Sequence, residues 1–87
     1  MAHYYWYRTC PVCDGQGRLL LFRDCSSDDL YLHCEECEWG WRDPEMAGQK
    51  HAGFLTSDEN LEAEPATLAD IAKHGWRKYA KHEFEDE

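Results

Sequence analysis

Four cysteines stand where their side chains could do chemistry. Cys10 and Cys13 form one Cys-x-x-Cys pair, Cys34 and Cys37 form another, and twenty residues, Asp14 to His33, lie between the pairs. Two intervening residues let a chain turn tightly enough for both thiolates to reach one ion at about 2.3 Å. Pro11, Gly15, Gly17 and Gly40 favour such turns. The spacing therefore predicts one structural Zn2+ held by Cys10, Cys13, Cys34 and Cys37. A full shell of four thiolates leaves no position for a reactive water, so the ion is expected to hold the fold and not to catalyse.

Other uses of the cysteines fit less well. A redox Cys-x-x-Cys needs a βαβ frame, for which 87 residues with these motifs leave no room. Paired disulfides suit a secreted chain, and "MAHYYWYRTC" has neither the basic start nor the aliphatic core of a signal peptide. A cytoplasmic location is the simplest expectation. Cys25, in "DCSSDD", is expected to be a free thiol.

The elements that must position the four thiols follow from pattern. "HYYWYRT" (3–9) and "RLLLFRD" (18–24) read as strands, as do "LYLH" (30–33) and "EWGWRD" (38–43). Strands entering and leaving two metal knuckles make a zinc ribbon, and residues 1–43 resemble that fold. Residues 44–66 hold two glycines and two prolines with little periodicity, and an acidic loop is expected there. Thr67 with Asp70 three residues later is a helix start, Leu68, Ile71 and Ala72 share a helical face, and Gly75 is a stop. A C-terminal helical segment over 67–82 is expected, with Trp76 and Tyr79 packing it onto the ribbon and 83–87 a frayed acidic tail. The fold class is thus small α+β, a single domain with an antiparallel sheet of three to four strands.

Size makes the metal important. A domain of 87 residues buries a modest fraction of its surface and needs a staple. Twelve aromatics argue against disorder. Trp39 and Trp41 share one strand face, as core or as contact surface. His33 is expected to be a strand residue beside the metal site, and His74 and His82 surface residues.

The charge is the second signal. Eighteen acids against nine bases give −9, which four thiolates and one Zn2+ take to roughly −11. The excess is even: residues 1–43 carry eight acids and four bases, and residues 44–87 carry ten and five. Neither half is a basic arm, so binding to a phosphate backbone lacks its driving force. No nucleophile–base pair or phosphate loop is present, and an enzyme is not expected. An acidic, aromatic surface instead suits a basic protein partner, with a positively charged nuclease groove a clear instance. Contact candidates by local charge are Asp28, Asp29, Asp58, Glu59, Glu62 and Glu64, with Trp41 as an aromatic anchor.

Three family resemblances bear on these residues. "CPVCDGQG" is similar to one repeat of the cysteine-rich domain of DnaJ-type chaperones, but that domain needs four repeats and this chain has one. Asp28 and Asp29 resemble the acidic hairpin tip of transcript-cleavage-factor zinc ribbons. That family has Asp-Glu where this chain has Asp-Asp after two serines, and a plain turn, which favours Ser and Asp for local hydrogen bonding, is the simpler reading. The resemblance implies a transcription-associated ribbon docking on RNA polymerase or a regulator. The hooks together with "DENLEAEPATLADIAKHGWRKYA" make the whole chain resemble a small immunity protein of a bacterial contact-dependent growth inhibition or related polymorphic toxin system. That resemblance implies a cytoplasmic antidote, binding one to one as a monomer to the toxin domain of its own system, often an RNase or DNase.

Overall fold

The computed structural model describes residues 2–56 and 62–86. Its main element is a seven-stranded antiparallel sheet: β1 (Ala2–Thr9), β2 (Arg18–Asp24), β3 (Asp29–Cys34), β4 (Trp39–Trp41), β5 (Phe54–Leu55), β6 (Ala63–Pro65) and β7 (His82–Asp86). The order across the sheet is β5-β4-β3-β2-β1-β7, with β6 pairing the far half of β2 beside β1. The β2–β3 hairpin is the spine. It runs in continuous register from Leu19 opposite Cys34 to Asp24 opposite Asp29.

The pleat sorts the side chains. Leu19, Leu21, Leu32, Cys34 and Trp41 point to one face, where they form the core with Cys10, Ala47, Ala66 and Ile71. Leu20 and Tyr31, on the other face, are also buried. The continuous apolar run of β2 is thus buried on both faces, as its composition predicts. On that second face the rings form a row: Trp6 stacks on His82 at 4.2 Å and Tyr4 on Phe84 at 5.1 Å, and Phe22 lies 6.1 Å from both Tyr4 and Tyr31.

The C-terminal half departs from the expectation of a loop, a helical segment and a frayed tail. The only α-helix among the described residues is α1 (Leu68–Lys73), six residues long. Thr67 and Asp70 close the anticipated capping box, and Gly75 at φ 71° ends the run. Of the expected helical face only Ile71 is buried; Leu68 is 58% exposed. Residues 77–79 are a 3-10 turn that still delivers Tyr79 edge-on to Tyr7 at 5.2 Å. The segment 82–86 is a strand. Its alternation of Glu83 and Glu85 with His82 and Phe84 has period two, which suits a sheet and no helix. The described part of 44–66 includes 3-10 turns at Pro44–Met46 and Lys50–Ala52 and the short strands β5 and β6. No helix of the described residues is long and apolar enough to cross a membrane.

Candidate metal centre

The two hooks are built alike. In the first, Pro11–Cys13 make a 3-10 turn, and Asp14 takes the left-handed conformation at φ 57°. The Gly15 amide donates to the Cys10 carbonyl at 2.8 Å, and the Cys10 amide donates to the Gly17 carbonyl at 2.8 Å. In the second, Glu38 takes the same left-handed turn at φ 60°, and its amide donates to the Cys34 carbonyl at 3.1 Å. The Cys37 amide donates to the Cys34 sulfur at 3.4 Å. Asp14 and Glu38 hold the same place, immediately after the second cysteine of each hook. Asp tolerates this conformation through local hydrogen bonding; Glu does so less readily.

Register brings the hooks together. Cys34 ends β3 opposite Leu19, one strand position from the first hook's exit at Arg18. The Sγ atoms of Cys10 and Cys37 lie 3.8 Å apart and those of Cys13 and Cys34 3.6 Å apart, with all four within 4.8 Å of one another. A tetrahedron with metal–sulfur bonds of about 2.3 Å has edges of about 3.8 Å. These separations are far too long for disulfides, which need about 2.05 Å. The four thiols fit one metal ion with a closed shell.

Electrostatics point the same way. Burial pushes the Cys10 and Cys34 thiols up, since neither can ionise cheaply without a positive partner. Burial opposes ionisation of Cys13 too, but hydrogen bonds, chiefly from the Gly17 amide, leave it lowered. A divalent ion supplies the charge that the buried pair lacks.

Gly17 shows how tightly the hooks meet. A Cβ built there would lie 2.5 Å from the Cys34 sulfur and 3.0 Å from the Glu36 side chain. The sequence marks this glycine only as a turn residue, and its role is clearance between the two hooks. A second support, Thr56, has no local signal at all. Its hydroxyl donates to the Glu38 carbonyl at 2.7 Å and lies 3.1 Å from His33 Nδ1. His33 is a strand residue beside the centre, partly buried, and burial lowers its pKa.

Of the contact candidates, Asp28, Asp29, Glu62 and Glu64 come together at the β2–β3 tip, where β6 pairs the end of β2 and Arg23 bridges Asp28 and Glu64. Asp28 sits in the hairpin tip at φ 59°, between Arg23 Nε at 2.8 Å and Lys73 Nζ at 2.5 Å, which hold its carboxyl down at about 2. Asp29 is exposed beside it. Glu64 is exposed but bonded to Arg23 at 3.1 Å, and Glu62 is exposed. Asp58 and Glu59 lie outside the described residues. Trp41 is no contact residue: it is fully buried, and its indole N–H donates to the Gln49 carbonyl at 2.9 Å. The strand's pleat aims Trp39 and Trp41 at the core face, where Trp41 is fully buried and Trp39 partly exposed. Cys25 is a free thiol at the tip, outside the cluster, 3.6 Å from the Arg23 guanidinium.

No protein-family model matches this chain, and no curated protein or solved structure does.

Proposed function

We propose that the chain is a cytoplasmic immunity protein: a zinc-stapled domain whose acidic surface binds and neutralises a basic toxin domain, a nuclease in the first instance. Zinc is the ion that a buried tetrathiolate site without redox work suits best. The observation that carries the reading is where the basic residues go. Arg18, Arg23, Arg42, Lys73 and Lys78 are each bonded to carboxylates of the same chain. With the net charge at −9, the outward field is negative. Such a field accelerates capture of a positively charged protein and repels nucleic acid.

The test is co-expression with a toxin encoded beside this chain. The chain should bind that toxin domain one to one and stop its cleavage of nucleic acid. A neighbouring gene without a toxin domain, or a nuclease whose rate is unchanged by excess chain, contradicts the reading. The transcription-associated reading draws on Asp28 and Asp29 acting together. The salt bridges of Asp28 to Arg23 and Lys73 occupy the carboxylate that reading needs free.

A further inference from the structure

β7 ends the sheet. Among the described residues it pairs on one side only, with β1, from Ala2 opposite Asp86 to Trp6 opposite His82. Its other side presents the backbone donors and acceptors of alternate residues along this five-residue strand. The opposite sheet edge, β5, has only two residues. Open edges of this length are usually guarded against pairing with other chains, often by lysine. Here the guards are acidic. Glu83 and Glu85 project together on one face with side chains 61% and 60% exposed, and a single imidazole, His3, lies 3.2 and 3.4 Å from them. One imidazole cannot neutralise two carboxylates. On the opposite face His82 and Phe84 continue the aromatic row of Trp6 and Tyr4.

We propose that the β7 edge is the docking site for an extended segment of a partner protein that alternates basic and apolar residues and adds to the sheet as a further strand. Backbone hydrogen bonds would supply affinity, and the alternation would supply specificity. Basic side chains of the added strand fall beside Glu83 and Glu85, and apolar ones fall beside His82 and Phe84. Charge decides against a second copy of this chain. Antiparallel self-pairing centred on Phe84 sets Glu83 of one copy directly against Glu85 of the other, a repulsive arrangement on both sides of the axis. The inference deepens the immunity reading and rests on it only for the partner's identity.

The experiment uses the metal-loaded chain and a short, terminally blocked peptide of alternating Lys and Val, followed by amide chemical shifts. The peptide should move the β7 amides saturably. Glu83→Lys with Glu85→Lys should weaken it by at least about tenfold, with metal content and thermal midpoint retained. The same peptide with its alternate amides N-methylated should also fail to bind. Equal binding by the N-methylated peptide, binding indifferent to the charge reversal, or no β7 response at millimolar peptide each overturns the proposal. Nuclease measurements separate the two claims. A chain that takes the peptide at β7 yet restrains no nuclease removes the immunity reading alone. A chain that neutralises its toxin with undiminished affinity after the charge reversal removes the edge proposal alone.

Discussion

The β2–β3 hairpin gathers acidic or ionisable groups at both ends, and the two ends accommodate them differently. At the metal end, Cys34 and the hook beside Arg18 gather four thiols placed to hold one ion from outside the chain. At the tip, Asp24 and Asp28 are held by groups the chain itself supplies. Asp24, only 2% exposed, accepts from the Ser26 hydroxyl at 2.7 Å and amide at 3.1 Å and from Arg42 at 3.2 Å. Asp28 is bridged to Arg23 and, across the fold, to Lys73 at the end of α1. The tip is therefore complete as soon as the chain folds, whereas the proposed metal end would be complete only when loaded.

The largest expected effect breaks that symmetry outright. Chelation, or Cys13→Ser or Cys37→Ser, should unfold most of the domain, because binding free energy at such a site is folding free energy. Far-ultraviolet circular dichroism during chelation measures it. Tip substitutions should leave a folded, metal-loaded protein.

Gly17→Ala comes next. With its Cβ set 2.5 Å from the Cys34 sulfur, the hooks must separate, so metal affinity should fall by at least about a hundredfold in a competition with a chromophoric chelator. A variant that keeps wild-type affinity would mean that the hooks are looser than this geometry.

Asp24→Asn tests the other end. Loss of a buried, charge-assisted set of bonds should cost about 2 kcal/mol in denaturant unfolding, with metal content unchanged. Hydrogen bonds from Ser26, outweighing burial, and the Arg42 contact hold the Asp24 carboxyl at about 2. A depressed carboxyl contributes stability that is full above its unfolded value near 4 and is lost as pH falls toward about 2. The variant should accordingly lose this acid-sensitive component between pH 4 and 2.

Two smaller changes separate the hooks from each other. Thr56→Val removes the hydroxyl that props the Glu38 carbonyl, and about 1 kcal/mol should be lost, with amide perturbations centred on the second hook. Glu38→Gly relieves a left-handed Glu and should stabilise the loaded protein by about 0.5 kcal/mol.

The metal end was legible in the sequence because its determinants are local and chemically narrow. Only a few residue types bind a soft ion, and Cys-x-x-Cys spacing has few other uses. Strands β1 to β4 followed from the same hooks and from aromatic and leucine-rich composition. The C-terminal half was not legible, for the opposite reason. Thr67, Asp70 and Gly75 do mark a helix start and stop, but they enclose too few residues for a helical segment over 67–82. What makes 82–86 a strand is the free edge of β1, eighty residues away in sequence. "HEFED" alone is too short and too charged to announce it. Trp41 shows a further limit. Alternation puts Trp39 and Trp41 on one face, yet it is the core assembled there, with Ala47, Ala66 and Ile71 brought in from the later chain, that makes it interior.

The account rests on a closed shell of four sulfurs. X-ray absorption at the zinc edge of the purified, loaded protein measures it directly. The prediction is one zinc per chain with four sulfur neighbours at about 2.3 Å and no nitrogen or oxygen in the first shell. A light-atom neighbour, or a folded chain that carries no metal, would contradict it.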